Sequence, residues 1–230
     1  FLYFPLKKDL NMEDLEKDLE IVKWDHEPVT RPPRTYKDIV DIPEDLKDLL
    51  PSSFDIIGDI AIMKISEELI EFKTDISKAM LNTNRNIRSV CIDKGVKGEF
   101  RIRDLEVIGG ISDLETIHVE NNMRFKLDPT KVYFSPRLAH ERERISRNIT
   151  KGRVLDMFAG IGPFSLSIAR HGTPDEVVGI DLNPDCIDYF NSNILLNSCQ
   201  DTVEAYLGDA IDAPLGMGIF DHVIMNLPHG

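Results

Sequence analysis

The sequence predicts an α/β chain, with a doubly wound parallel sheet in its C-terminal part and an α+β domain ahead of it. Three observations predict this. From Val154 onward, short apolar runs alternate with helical patterns, as βαβ units of a parallel sheet do. The first of these runs leads into a glycine-rich turn at 159–162 and then a helix, the local pattern of a ligand-binding strand-to-helix turn. Residues 86–127 instead alternate apolar and polar side chains repeatedly, which predicts antiparallel strands with one polar face.

The elements follow in order. Residues 1–27 predict a short strand at 2–6, an acidic helix around 12–19 and an apolar strand at 20–24. Pro28 and the run Arg31-Pro32-Pro33-Arg34 fix φ and remove amide donors, so a linker is expected there. A helix is expected at 36–39 or 44–50, stopped by Pro51. Two β-branched runs around Gly58-Asp59 predict a hairpin over 54–65. Leu69, Ile70, Phe72, Ile76, Met80 and Leu81 lie near a 3.6 period and predict a helix over 66–82. The later segment predicts strands at 154–158, 177–181, 203–207 and 221–226, with helices at 164–170 and 184–197. Right-handed crossovers would wind these strands into one sheet. Four strands are few for such a domain, so the sheet is expected to be truncated at its C-terminal side.

Bulk properties narrow the class. The 230 residues are 42% hydrophobic and 29% charged, enough to build a buried core. No stretch approaches the roughly 20 apolar residues of a membrane span, and the start lacks the basic and apolar regions of a signal peptide. It also lacks an initiator Met, so the chain is expected to begin inside a longer product. Cys91, Cys186 and Cys199 form no CxxC pair, which argues for a reducing, cytoplasmic compartment and against a disulfide framework. The six histidines show no metal-ligand spacing, and no metal is expected. The net charge of −13 hides a gradient: residues 80–150 carry 13 basic side chains, nine of them arginines, against 10 acidic ones. That segment permits a polyanionic partner; a salt-bridged surface would read the same way.

The strongest chemical signal is Asp156-Met157-Phe158-Ala159-Gly160-Ile161-Gly162-Pro163-Phe164-Ser165. A glycine turn here lets the backbone approach a ligand and offers free amides at a helix N-terminus. Asp181 closes the second strand, where a carboxylate accepts from a ribose diol. Asp209 follows the third strand, where it can read an adenine amino group. The third glycine of a dinucleotide fingerprint is absent, and Asp156 would repel a pyrophosphate while suiting a zwitterion. Together these favour S-adenosylmethionine. Asn226-Leu227-Pro228 ends the fourth strand, where it can face the ligand crevice or merely begin a loop.

These motifs carry a family resemblance. Gly98-Glu99-Phe100-Arg101-Ile102-Arg103, Thr116-Ile117-His118-Val119-Glu120-Asn121, Val132 through Arg142, Asp156 through Ser165 and Asn226-Leu227-Pro228 together resemble the archaeal and eukaryal tRNA (guanine(37)-N(1))-methyltransferases. The resemblance runs from about Tyr36 to Gly230. It implies a class I methyltransferase-type, Rossmann-like fold, and methyl transfer from S-adenosylmethionine to N1 of the guanosine beside the tRNA anticodon. It divides the chain into a remnant of a small tRNA-binding domain and linker (1–30), an α+β RNA-binding domain (31–130) and an incomplete methyltransferase domain (131–230). It implies a tRNA anticodon stem-loop as partner and a monomer off the membrane.

The resemblance also implies roles. Glu141 would be the general base for the N1 proton, Arg101 would stabilise charge on O6, and Asn226 would hold the guanine edge. Asp156, Phe158, Ala159, Gly160, Gly162, Asp181, Leu182, Asp209 and Asn226 would contact the cofactor. Arg137, Arg103 and Pro228 would contact the substrate. From the residues alone, Glu141 also fits an i,i+3 ion pair on a charged helix, and Arg101 a solvated strand face. Two other functions stay open: a sister wybutosine-pathway transferase, moving an aminocarboxypropyl group or methylating a precursor carbon, and a non-catalytic tRNA-binding protein of the same fold.

Overall fold

The hairpin over 54–65 forms as the sequence predicts. In the computed structural model, which describes residues 35–227, β1 (Asp55–Ile57) and β2 (Ile60–Met63) pair antiparallel across a two-residue turn. The elements expected over 1–27, the linker at 31–34 and Pro228 lie outside the described residues. Both candidate helices before Pro51 form, as short 3-10 helices at Tyr36–Asp38 and Glu44–Leu49.

The helix expected over 66–82 is split. Glu67–Phe72 is 3-10, and the α-helix α1 spans Lys73–Thr83. At three residues per turn Leu69 and Phe72 share one face, and both pack into the same apolar cluster. Next come β3 (Ser89–Lys97) and β4 (Ile102–Gly110), which pair antiparallel. The sheet runs β1-β2-β3-β4.

The antiparallel pairing expected within 86–127 holds for β3 with β4. β2 and β3 are parallel, because the connection between them passes through α1, the crossover a parallel pair requires. The expected single polar face needs correction: Ile60, Ile62 and Cys91 join one core cluster, while Ala61, Met63 and Val90 join another with α1 and Tyr36. Alternation along these strands therefore sorts side chains between two cores.

A separate ribbon follows, β5 (Thr116–Glu120) antiparallel to β6 (Met123–Leu127). Its turn is Asn121-Asn122, with φ of 47° and 62°, the left-handed pair that a two-residue hairpin favours. A 3-10 turn, Pro136–Leu138, then leads into α2 (Ala139–Ser146).

The remaining elements are β7 (Arg153–Asp156), α3 (Pro163–His171), β8 (Glu176–Asp181), α4 (Pro184–Leu196), β9 (Val203–Leu207) and β10 (His222–Ile224). All four strands are parallel, in the order β10-β7-β8-β9. The chain steps outward from β7 to β9 and returns to the other side of β7 as β10, so the strand order reverses between β7 and β10. Proline at the first position starts both α3 and α4. Asn183 caps α4 by accepting from the Asp185 amide at 3.0 Å.

One continuous apolar cluster crosses residue 130. Ile57, Phe125, Leu127 and Phe134 pack with Val154, Leu166, Val177 and Phe190. Polar contacts reinforce the join. The Asn193 side chain accepts from Lys126 N at 2.7 Å and donates to Lys126 O at 3.1 Å. Asn197 does the same with Arg124, at 2.9 and 2.7 Å. On the far face of the parallel sheet, Leu155, Val178 and Ile180 are covered by Met157, Ala213, Met217 and Phe220.

Candidate ligand cavity at the strand ends

Ligands of open α/β sheets bind outside the carboxyl ends of the strands, where strand order reverses. A cavity of about 240 Å³ lies there. Phe158, Ala159 and Gly160 reach it from the turn after β7, Asp181 and Leu182 from the end of β8, and Asn226 and Leu227 from the segment after β10. The opposite wall comes from outside the parallel sheet: Phe100 and Arg101 from the β3–β4 hairpin, and Tyr133 through Ser135 with Leu138 from the segment before α2. Seven residues expected at the site (Arg101, Phe158, Ala159, Gly160, Asp181, Leu182 and Asn226) thus line one cavity.

The turn after β7 is held by its own backbone and by Asp181. Ala159 N donates to Ile180 O at 2.9 Å, and Gly160 N donates to Asp181 Oδ2 at 2.7 Å. The other Asp181 oxygen accepts from Asn183 N at 2.9 Å. Each carboxylate oxygen keeps a second lone pair for a ligand hydroxyl. The two glycines serve different ends. Gly162, at φ +85°, faces the Phe190 ring, which a Cβ would overlap. Gly160, at φ +55°, has open space beside it, the nearest atom being Tyr133 O at 3.8 Å. Gly162 is therefore required by packing, whereas Gly160 leaves backbone bare toward the cavity.

Asp156 lies at the end of β7, 1% exposed. Its Oδ2 accepts from Ser165 Oγ at 2.8 Å, while Oδ1 has no hydrogen-bond partner among the described residues. Burial pushes its carboxyl up to about 6, with the charge of Asp181 adding to the shift and Ser165 opposing it. A buried, half-satisfied carboxylate suits a cationic ligand group, such as the ammonium of an amino acid.

Arg101 occupies the tip of the β3–β4 hairpin at φ +53°, an uncommon conformation for a residue with a side chain. Besides Asp156 and Gly162, four expected residues stand apart from the cavity lining. Glu141 is half-buried on α2, and Arg144 holds its carboxylate through Nε at 2.8 Å and Nη2 at 2.6 Å. That pairing holds Glu141 below the usual carboxylate range. Asp209 is exposed after β9 and accepts from Ile211 N at 2.7 Å. Arg103 is nearly buried and pairs with Asp55 at 2.9 Å and Asp93 at 3.5 Å, as a strut within the N-terminal sheet. Arg137 is exposed, its Nε bonded to Asp55 Oδ1 at 2.8 Å.

Sequence reasoning missed one cavity residue of consequence. Arg142, beside Glu141, is 1% exposed. It makes a two-pronged pair with Glu120 of β5, at 2.6 and 2.5 Å, and lies over the Phe134 and Phe164 rings. Burial pushes Glu120 up, but His118 and Arg142 outweigh it and hold the carboxyl below its ordinary value. Among the described residues, no group of three or more His, Cys, Asp or Glu side chains is arranged to hold a metal ion. No helix among them is long and apolar enough to cross a membrane.

Sheet order, cavity position and half-satisfied carboxylate define a Rossmann-like α/β domain of the methyltransferase type. The chain belongs to the TRM5/TYW2 methyltransferase domain family, whose model matches residues 116–230. A second model, the TYW2 N-terminal domain, matches residues 36–113. The chain is 42% identical over 231 residues to the tRNA (guanine(37)-N(1))-methyltransferase Trm5b of Pyrococcus abyssi, covering 99% of this chain and 66% of that protein. The crystal structure of that Trm5b superposes with a TM-score of 0.80 at 41% identity, covering 98% of this chain and 64% of the other. The complex of aTrm5 with tRNALeu gives 0.77 at 32% identity, covering 96% and 68%. A tRNA(Phe) (4-demethylwyosine(37)-C(7)) aminocarboxypropyltransferase of Pyrococcus horikoshii is 36% identical over 186 residues, 80% of this chain and 66% of that protein. The chain thus spans about two thirds of the length of these relatives.

Proposed function

We propose that this chain carries the cofactor site and much of the reaction site of a cytoplasmic, monomeric tRNA methyltransferase that modifies N1 of guanosine 37. The observation that carries the reading is the shared cavity. It brings the bare turn at Gly160, the end of β8 at Asp181, the segment at Asn226 and the hairpin residue Arg101 to one opening. The Asp156–Gly162 turn fits the amino-acid end of S-adenosylmethionine, with the unpartnered Asp156 oxygen suited to its ammonium. Asp181 accepts from the ribose diol, and Phe158 and Leu182 give apolar walls. When bound, the cofactor supplies an electrophilic methyl group on a sulfonium.

The protein's part is to present guanine and manage one proton. N1 of guanine is protonated, so its lone pair attacks only as that proton leaves. Asn226 orients the base edge, and the Arg101 guanidinium stabilises the charge that spreads to O6. Glu141 takes the proton. At rest its carboxylate is held by Arg144, so it accepts a proton only after exchanging that partner for the bound base. Tight phosphate contacts are assigned to the arginine-rich segment 80–150. The deciding experiment gives the full-length protein a tRNA transcript with guanosine at position 37 and methyl-labelled cofactor. The expected product is 1-methylguanosine at that position.

A second reading has support in the match of residues 36–113 to the TYW2 N-terminal domain and in the aminocarboxypropyltransferase relative. It predicts transfer of the cofactor's amino-acid arm to a carbon of a modified base. The mass of the modified nucleoside separates the two.

A further inference from the structure

We propose that Asp55 is a positioning residue that latches together two segments of the cavity wall: the hairpin bearing Arg101 and the turn bearing Ser135 and Leu138. The proposal rests on the methyl-transfer reading above and adds a residue to it. Asp55 opens β1 and is itself outside the cavity lining. Its two oxygens are divided between two arginines from different parts of the chain. Oδ2 accepts from Arg103 Nη2 at 2.9 Å, and Oδ1 accepts from Arg137 Nε at 2.8 Å. Arg103 lies in β4, two residues after Arg101, and also reaches Asp93 of β3. Arg137 lies in the 3-10 turn between Ser135 and Leu138, both of which line the cavity.

One largely buried carboxylate therefore joins β1, the β3–β4 hairpin and the entry to α2. Burial pushes Asp55 up, but the two arginines outweigh it and hold the carboxyl below its ordinary value, so it is ionised near neutral pH. The latch also accounts for the backbone at Arg101. A non-glycine residue at φ +53° persists only where its surroundings over-determine it. Arg103, fixed on both sides two residues away, supplies such a constraint. Arg103 and Arg137, expected from the sequence to touch the substrate, thus act through Asp55 on the residues that do.

The test uses the full-length protein and Asp55→Asn, which keeps the shape and one acceptor oxygen but removes the charge. Amide hydrogen exchange should quicken by about tenfold or more at 98–103 and 135–138, and stay unchanged at 153–181. Single-turnover methyl transfer at saturating tRNA and cofactor should fall about tenfold or more, because small displacements of reacting groups are costly. Cofactor affinity should stay within about twofold. In an Arg101→Ala background the same substitution should cost less than about threefold, since the residue it positions is gone. Unchanged exchange at both segments, or equal losses of rate in both backgrounds, overturns the latch. Arg137→Gln, at a side chain 73% exposed, serves if Asp55→Asn does not fold. It should quicken exchange at 135–138 and spare 98–103, and unchanged exchange at 135–138 overturns the latch. Wild-type protein that leaves guanosine 37 unmodified overturns the methyl-transfer reading instead, and the exchange measurement then decides the latch alone.

Discussion

Replacing Asp156 with Asn should stabilise the ligand-free protein and weaken cofactor binding, two effects of opposite sign from one atom exchange. The side chain is buried, and its carboxyl is raised from 3.8 to about 6, chiefly by desolvation. A carboxyl whose folded pKa lies above its unfolded value binds more protons folded than unfolded between those two values. Stability therefore falls as pH rises from about 4 to about 6, and the penalty is complete above that. The interval of about two units corresponds to roughly 3 kcal/mol at pH 7, at 1.36 kcal/mol per unit. Asn can accept from Ser165 Oγ as Asp156 does and carries no charge to desolvate. Urea unfolding of wild type and Asp156→Asn at pH 4 to 7.5 should show the two converging toward pH 4, with the variant gaining up to about 3 kcal/mol above pH 6. Calorimetry at pH 7 should show the variant binding S-adenosylmethionine more weakly, because the ammonium loses its counter-charge. A constant stability gap across the pH range, or unchanged affinity, would refute the reasoning.

Four further outcomes are expected. Asp181→Ala should weaken cofactor binding by roughly 1–3 kcal/mol, since it removes the ribose acceptor and also frees the Gly160 and Asn183 amides; calorimetry on the folded variant measures it. Glu141→Gln should lower the single-turnover rate by roughly 10²–10⁴-fold with tRNA affinity nearly unchanged. Arg144→Gln should move the acid limb of the pH–rate profile upward, because the hydrogen bond that holds Glu141 low is lost. Gly162→Ala should destabilise the fold by at least about 1 kcal/mol in denaturant titration, as its methyl overlaps the Phe190 ring at a left-handed φ.

The C-terminal sheet was legible because its strands and helices each follow a local period, and parallel order follows from alternation with crossovers. β9 matches its expected bounds, and the other three strands differ only at their ends. The N-terminal sheet was less so. Which strand pairs with β2 depends on where α1 returns the chain, and periodicity within β2 or β3 carries no such information. At the site, the glycine turn, Asp181 and Asn226 announce themselves because ligand-facing positions in this architecture fall at strand ends. Arg142 does not: in Glu141-Arg142-Glu143-Arg144 every side chain reads as surface charge. Only Glu120, 22 residues earlier, makes one of them a core residue. Arg103 and Arg137 are the converse case: both pair with Asp55, 48 and 82 residues away, and nothing in their local sequence announces that partner.

The asparagine pair on α4 has a consequence for how this molecule meets its own copies. Four residues of helix rise about 6 Å, and two residues of strand rise about 6.6 Å, so Asn193 and Asn197 stand nearly in step with Lys126 and Arg124. Each primary amide presents one N–H and its carbonyl to the ribbon, as a peptide group does, and the two together imitate a neighbouring strand along the outer edge of β6. An edge occupied in this way is closed to recruitment by a second polypeptide. A helix thus protects the ribbon against fibrous self-association without any charged or proline residue in the ribbon having to do so.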